Sequence, residues 1–143
     1  MSNFLVIKNK VRSFNKTIEV PGDKSLSIRW ILFASLASNV SIASNLLISE
    51  DVIASIKAVK QLGIKVNFKN QKCYIYGKGI NGYNYKKNIT INAKNSGTLG
   101  RIILGLLINT KYPIKIIGDE SLSKRDFRRI TEPLSKFGAQ FKL

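Results

Sequence analysis

An internal repeat limits the possible folds of this chain more than any other feature of its sequence. Asp51 stands twelve positions before Gly63, and Asp126 stands twelve positions before Gly138. Apolar residues recur at helical spacing within both intervals, and glycine is a common helix stop because it adopts the left-handed backbone easily. Agreement of helix length and helix stop at both places indicates two copies of one structural unit.

The repeated unit is predicted to be β-α-β-α-β-β, which gives an α/β (α+β) fold. The first copy is expected to have strands at residues 17–20, 39–43, 64–68 and 73–76, and helices at residues 24–37 and 50–62. The second copy is expected to have strands at residues 89–92, 114–117 and 139–141, and helices at residues 96–107 and 126–137. A further short strand is expected within residues 1–8.

The two copies define repeat unit one at about residues 17–77 and repeat unit two at about residues 88–143. No domain boundary is predicted between them, because residues 70–87 hold only a hairpin and a linker rich in Gly, Asn and Lys. The side chains expected to face inward from the last helix are Phe127, Ile130, Leu134 and Phe137. Repeat unit two stops within its fifth element, and we therefore expect the chain to be a fragment of a longer protein.

The composition excludes several classes of protein. The chain has 143 residues, of which 44% are apolar, so one compact domain with a buried core is expected. It contains no histidine, which excludes a Ser-His-Asp triad and a histidine-ligated metal site within it. The single Cys73 cannot form an internal disulfide and is typical of a reducing cytoplasm. The sequence has no apolar run of membrane-spanning length, and its first residues are expected to form a short strand rather than a secretory signal.

The formal net charge is +16, from 24 Lys and Arg against 8 Asp and Glu. Such an excess attracts anions, including nucleic acid, acidic lipid and phosphorylated metabolites. Much of the excess is Lys scattered among Asn and Ile, which is equally typical of an AT-rich coding sequence. The chain lacks the basic and aromatic stripe that binds single-stranded nucleic acid. It also offers no evident pair of carboxylates for acid–base catalysis among Glu19, Asp51 and Asp126.

Two segments combine Gly and Ser near a predicted helix start with an Arg one turn further on. They are Pro-Gly-Asp-Lys-Ser-Leu-Ser-Ile-Arg at residues 21–29 and Asn-Ser-Gly-Thr-Leu-Gly-Arg at residues 95–101. A helix N-terminus presents unpaired N–H groups and a partial positive charge, which favour phosphate or carboxylate. The alternative is that Asp, Asn or Ser only caps each helix and that the cations are solvated.

A third segment, Gly-Asp-Glu-Ser-Leu-Ser-Lys-Arg at residues 118–125, lies on the same predicted edge between a strand and a helix. Arg125 is expected to complete an anion site there. Arg101 is expected either to point back to that site or to brace a neighbouring loop. Arg128 and Arg129 are interpreted as surface charges.

Together, the three segments closely resemble motifs of the 5-enolpyruvylshikimate-3-phosphate synthase (3-phosphoshikimate 1-carboxyvinyltransferase) family. Their order and spacing agree with the N-terminal part of that family, and the resemblance covers essentially the whole chain. The related UDP-N-acetylglucosamine enolpyruvyl transferases share the fold but have Asn where Ser25 stands, which argues against them. Three positions depart from the family pattern. Asp126 stands where the family usually has Pro, Ile28 occupies a position that is often polar, and Ile102 occupies a position where some members have Pro.

The resemblance implies two domains, each assembled from three β-α-β-α-β-β units. It implies transfer of the enolpyruvyl group from phosphoenolpyruvate to the 5-hydroxyl of shikimate 3-phosphate, with release of phosphate, in the shikimate pathway to chorismate and aromatic amino acids. No metal and no organic cofactor are expected. The enzyme is expected to be cytoplasmic and, at full length, monomeric, with no membrane and no nucleic-acid partner.

The resemblance also assigns expected roles to residues by position. The residues expected to bind shikimate 3-phosphate are Lys24, Ser25 and Arg29. The residues expected to bind phosphoenolpyruvate are Lys24, Asn95, Gly97 and Arg125. Arg101 is expected to support the site. The acid–base residues are expected in the part of the enzyme beyond this chain, so that the chain alone is expected to be inactive.

Two other readings remain open from the sequence. The first is a free-standing anion- or nucleic-acid-binding module built on the same repeat, which salt-sensitive binding to arbitrary DNA would support. The second is the product of a decayed gene.

Overall fold

The computed structural model describes residues 6, 8, 10 and 12–142. The helices are α1 (Lys24–Leu36), α2 (Glu50–Gln61), α3 (Gly97–Leu106), α4 (Glu120–Ser123) and α5 (Arg128–Lys136). The strands are β1 (Val40–Ser44), β2 (Lys65–Lys69), β3 (Lys72–Tyr76), β4 (Thr90–Asn92) and β5 (Lys115–Ile117). The expected strand within residues 1–8 lies largely outside the described residues. No described helix is long and apolar enough to cross a membrane.

The strands form two small sheets. In the first, β3 lies between β1 and β2 and is antiparallel to both. The turn from β2 to β3 consists of Asn70 and Gln71, whose φ angles of 48° and 58° suit a tight two-residue hairpin. In the second sheet, β4 and β5 are parallel, and Asn92 is paired with Ile117. The loops that follow these two strands therefore leave the same edge of the sheet.

The core lies between helices α1, α2 and α3 and the inner faces of the strands. The largest fully buried side chains are Ile28, Ile31, Leu32, Val52, Val59, Leu62, Ile64, Cys73, Ile75, Ile91, Leu99 and Ile103. Helix α1 packs against both α2 and α3. This packing places the two helices that carry the first two motifs side by side.

Both helix stops predicted from the repeat are confirmed. Gly63 and Gly138 have φ angles of 85° and 93°, in the left-handed region that favours glycine. The next residue after each glycine donates its N–H to a carbonyl five residues earlier: Ile64 to Val59 at 3.0 Å and Ala139 to Leu134 at 3.2 Å. Both helices thus end in the same Schellman-type hydrogen bond.

Three local predictions were wrong. Residues 17–20 form no strand: Ile18 is 70% exposed, and no described strand pairs with the segment. Residues 139–141 also form no strand. Phe137 does not face inward but is 86% exposed, whereas Phe127, Ile130 and Leu134 are partly buried. An extended apolar segment becomes a strand only when a neighbour satisfies its backbone groups.

The last helical region is also divided differently from the expectation. The short helix α4 was not predicted, and α5 begins at Arg128 rather than at Asp126. The Asp126 carboxylate accepts a hydrogen bond from the backbone N–H of Arg128 at 2.8 Å, which satisfies a donor that the helix itself leaves free. Asp126 therefore lies before the helix, whose N-cap residue is Phe127, and its side chain satisfies the N–H of the first helical residue.

Candidate functional site

The first motif forms the entry to helix α1. Asp23 caps this helix, because its carboxylate accepts a hydrogen bond from the N–H of Leu26 at 2.7 Å. The preceding Gly22 lies so close to a neighbouring loop that a Cβ added there would clash with the carbonyl oxygen of Asn45. The hydroxyl of Ser27 accepts from the N–H of Leu47 at 3.1 Å. The loop that contains Asn45 and Leu47 thus holds the start of α1 in place.

Lys24, Ser25 and Arg29 occupy the first two turns of α1 and are called the α1 cluster below. The helix begins at Lys24, so Ser25 and Arg29 lie one turn apart, as the sequence predicted. The ammonium of Lys24 is 3.0 Å from the carboxylate of Asp51, and the Lys24 side chain is still 54% exposed. Arg29 is exposed. The cluster therefore presents two cations and a hydroxyl to solvent near a helix N-terminus.

The second and third motifs meet at the edge where β4 and β5 end. Ser96 caps α3 by accepting a hydrogen bond from the N–H of Leu99 at 3.1 Å. The guanidinium of Arg125 donates from Nη2 to Oδ1 of Asn95 at 3.1 Å. A Cβ added to Gly97 would stand 2.7 Å from Nη1 of Arg125. Asn95, Gly97 and Arg125, called the α3 cluster below, are therefore in direct contact.

Arg125 places a positive charge beside the N-terminus of α3. Its guanidinium lies against the first residue of α3, where backbone N–H groups already favour an anion. A small phosphate or carboxylate at this point would meet a helix N-terminus and a planar cation together, and guanidinium is well suited to bidentate contacts with such groups.

Arg101 lies beside the α3 cluster and contacts the loop before α5. Its Nη2 donates to the carbonyl oxygen of Asp126 at 3.4 Å, and its guanidinium lies 5.7 Å from the centre of the Phe127 ring. Its Nε is buried without a hydrogen-bond partner among the described residues. Its Nη1 would also stand 3.4 Å from a Cβ added to Gly97, so Arg101 lies beside the start of α3 as well as against the loop before α5, and both roles expected for it stay predictions.

Asp119 is a contact of the α3 cluster that sequence reasoning missed. One of its carboxylate oxygens accepts a hydrogen bond from Nδ2 of Asn95 at 2.8 Å. The other accepts from the N–H of Leu122 at 2.7 Å and caps α4. The signal available in the sequence was the Gly-Asp pair directly after a predicted strand, at the edge already identified.

The hydrogen bonds to Asp119 favour its charged form. The Asn95 amide and then the Leu122 N–H lower the pKa of Asp119 below its usual value of 3.8. A carboxyl whose pKa is lower in the folded state stabilises the fold fully above its unfolded pKa, and that contribution is lost as pH falls through the folded value. Asp119 is therefore ionised, and its contacts with Asn95 and Leu122 are intact, at neutral pH.

The α1 and α3 clusters are not joined by direct polar contacts. Within residues 12–142, no hydrogen bond or ion pair joins a member of one cluster to a member of the other. Their common location depends on the packing of α1 against α3.

Replacing Gly97 with alanine is expected to weaken binding of a small phosphate or carboxylate anion at the α3 cluster about tenfold without loss of stability. The added Cβ would displace the Arg125 guanidinium, whose flexible side chain can move, and alanine favours a helix over glycine. Gly105→Ala on the same helix is the matched control, because its Cβ would meet nothing within 4 Å. Calorimetric titration and thermal unfolding of both variants measure the two effects. Equal affinities of the two variants would contradict the expectation that a side chain at position 97 displaces the Arg125 guanidinium.

Comparisons with known proteins agree on one family. A family model described as EPSP synthase (3-phosphoshikimate 1-carboxyvinyltransferase) matches residues 8–143. The 3-phosphoshikimate 1-carboxyvinyltransferase of Ruthia magnifica is 41% identical over 140 residues, which cover 97% of this chain and 31% of that protein. The protein of the same name from Bacillus cytotoxicus is 39% identical over 129 residues, which cover 90% of this chain and 30% of that protein.

A solved structure extends the agreement to the fold. EPSP synthase from Acinetobacter baumannii matches with a TM-score of 0.79 and 36% sequence identity, over 86% of this chain and 28% of that one. The α/β fold class expected from the sequence is thereby confirmed. The chain spans about 30% of the length of the curated relatives it matches. All three motif segments lie within the matched residues 8–143, and the chain belongs to the EPSP synthase (3-phosphoshikimate 1-carboxyvinyltransferase) family.

Proposed function

We propose that this chain supplies one part of the substrate cleft of an enzyme that transfers the enolpyruvyl group of phosphoenolpyruvate to the 5-hydroxyl of shikimate 3-phosphate. The observation that carries the proposal is the α3 cluster, in which Arg125 lies against the N-terminus of α3 in a chain of this family. The products are 5-enolpyruvylshikimate 3-phosphate and inorganic phosphate, formed through a tetrahedral intermediate. Neither a metal nor an organic cofactor takes part in the proposed reaction.

The α1 cluster is the proposed site for shikimate 3-phosphate. Arg29 offers a planar guanidinium and Ser25 a hydroxyl one turn away, a combination that suits phosphate oxygens. Lys24 adds a compact charge at the helix start and, through its exposed ammonium, also contacts phosphoenolpyruvate in this proposal. Asp51 holds that ammonium at 3.0 Å and so keeps it near the mouth of α1.

The α3 cluster is the proposed site for phosphoenolpyruvate. Asn95, Gly97 and Arg125 surround the start of α3, and the absence of a Gly97 side chain leaves room for the Arg125 guanidinium. Both substrates are polyanions, so their approach costs Coulomb repulsion that fixed cations offset. Cations held in place before the substrates arrive stabilise charge without reorganising during the reaction. They also hold the hydroxyl near the enol carbon, which reduces the entropic barrier.

The wider biological assignments belong to the same proposal. We assign the chain to the N-terminal domain of the enzyme, with repeat unit one at about residues 17–77 and repeat unit two at about residues 88–143. The complete enzyme is proposed to be a cytoplasmic monomer of aromatic amino-acid biosynthesis. The catalytic acid–base groups are proposed to lie outside this chain, so the chain alone is expected to show no turnover.

A chimeric enzyme tests the proposed activity. Residues 8–143 would replace the aligned part of Acinetobacter baumannii EPSP synthase, and phosphate release from phosphoenolpyruvate would be measured with and without shikimate 3-phosphate. We expect release that depends on shikimate 3-phosphate and that falls about a hundredfold or more in Lys24→Ala. Lys57→Ala, at an exposed lysine of α2, is the control and should leave the rate unchanged. A folded chimera without turnover would contradict the proposal.

A further inference from the structure

The side-chain amide of Asn95 is hydrogen-bonded at both ends. Its Nδ2 donates to Oδ2 of Asp119 at 2.8 Å, and its Oδ1 accepts from Nη2 of Arg125 at 3.1 Å. An amide has one donor end and one acceptor end, so a single orientation of the Asn95 amide satisfies both partners and the reversed orientation satisfies neither. A carboxylate on one side thus fixes which end of Asn95 faces the guanidinium.

Asp119 is itself held firmly at the end of β5. Its second carboxylate oxygen accepts from the N–H of Leu122 at 2.7 Å, and its own N–H donates to the carbonyl oxygen of Lys94 at 2.9 Å. Lys94 directly precedes Asn95, so the same loops are joined through the backbone and through the side chains. The Asp119 carboxylate that orients Asn95 is therefore itself held by backbone groups of two loops.

We infer that Asp119 is a positioning residue, which orients the Asn95 amide so that this amide holds the Arg125 guanidinium beside Gly97. The inference rests on the proposed role of Arg125 in binding phosphoenolpyruvate. Without the carboxylate, the amide of Asn95 is free to turn its NH₂ group toward the guanidinium, which has only donors. Arg125 then loses its acceptor and leaves the start of α3.

A purely structural role would limit Asp119 to capping α4. Serine caps helices about as well as aspartate, so Asp119→Ser keeps an acceptor for the N–H of Leu122 while it removes the second oxygen that Asn95 needs. If Asp119 acted only through its charge, its replacement would change ligand affinity in the opposite direction. Removal of a carboxylate near Arg125 would reduce repulsion of an anionic ligand and tighten binding.

The experiment compares phosphoenolpyruvate affinity and the Arg125 Nε–H NMR signal in the wild-type chain, Asp119→Ser, Asn95→Leu and the double variant. We expect Asp119→Ser to weaken binding about tenfold and to shift or broaden the Arg125 signal, with the Leu122 amide signal retained. Since Asp119 acts through Asn95, the double variant should bind no more weakly than Asn95→Leu alone. Glu120→Gln removes a neighbouring exposed carboxylate and should change neither readout.

An Arg125 signal that is unchanged in Asp119→Ser would overturn the inference, as would tighter binding or additive losses in the double variant. The two proposals fail in distinguishable ways. A wild-type chain that binds no phosphoenolpyruvate would count against the proposed function, while the Arg125 signal in Asp119→Ser would still decide whether Asp119 positions the guanidinium.

Discussion

Replacing Arg125 with alanine is expected to lower kcat/KM for phosphoenolpyruvate about 10²–10³-fold in a chimeric enzyme that contains this chain. The guanidinium lies against Gly97 at the start of α3 and is held there by Asn95, so it is in place before a ligand arrives. Its loss would remove one of the two cations proposed to contact phosphoenolpyruvate, which would weaken binding of the substrate and stabilisation of the transition state. Steady-state kinetics with varied phosphoenolpyruvate measure the effect.

Two controls make the Arg125 result specific. Arg129→Ala removes an equal charge from the exposed surface of α5 and should change kcat/KM less than about threefold. Arg125→Lys keeps the charge but loses the planar fork, so an intermediate loss is expected. Equal effects of the Arg125 and Arg129 substitutions would show that overall charge, rather than the α3 cluster, governs the reaction.

Replacing Gly63 with alanine is expected to destabilise the fold more than the same change at Gly138. Both glycines end a helix with a left-handed backbone, which costs a residue with a side chain about 1–3 kcal/mol. At Gly63, a Cβ would also clash with the carbonyl oxygen of Asn84, whose N–H donates to the carbonyl oxygen of Leu62 at 2.9 Å. At Gly138, a Cβ would meet nothing within 4 Å.

The comparison of these two variants isolates the contact with Asn84. Displacement of the Asn84 backbone breaks its hydrogen bond to Leu62, so Gly63→Ala should lose roughly 1–3 kcal/mol more than Gly138→Ala. Urea unfolding followed by circular dichroism gives both free energies of unfolding. Equal losses in the two variants would mean that the backbone conformation alone explains the use of glycine at both positions.

Local patterns predicted the elements well wherever a buried surface faces them. In α2 and at the residue that follows it, the apolar positions that recur at helical spacing, Val52, Ile56, Val59 and Leu62, are all buried. In α5 the same reasoning placed Phe137 inward, although the helix ends there and the side chain is exposed. Helical spacing shows which residues share a face, but it does not show how far the neighbouring surface extends.

Strand prediction was also limited, because a local pattern does not show what lies beside the segment. Residues 17–20 have strand-like composition, but a strand also needs a partner, which a local pattern does not supply. β4 and β5 were predicted correctly, and their parallel pairing brings the second and third motifs to one edge. The Asn95–Asp119 hydrogen bond spans 24 positions of sequence and depends on that pairing, so the Gly-Asp pair after β5 marked the right edge but did not identify Asn95 as the partner of Asp119.

The motif residues of the site were easier to identify, because each motif joins a helix start to a cation. α1 begins at Lys24 and α3 at Gly97, within one residue of the predicted starts. The contact of Arg125 with Asn95 brings together residues 30 positions apart, as the shared edge suggested. The ligand assignments of the α1 and α3 clusters stay predictions until a ligand is bound.

The central claim is that the α1 and α3 clusters bind two different phosphorylated substrates. NMR titration of the isotope-labelled chain with shikimate 3-phosphate, phosphoenolpyruvate and an arbitrary DNA duplex tests it most directly. We expect shikimate 3-phosphate to shift amide signals of residues 24–29, and phosphoenolpyruvate to shift those of residues 95–101 and Arg125. Shifts spread over the surface lysines, with DNA binding more tightly than either substrate and losing affinity steeply with salt, would instead indicate a general polyanion-binding module.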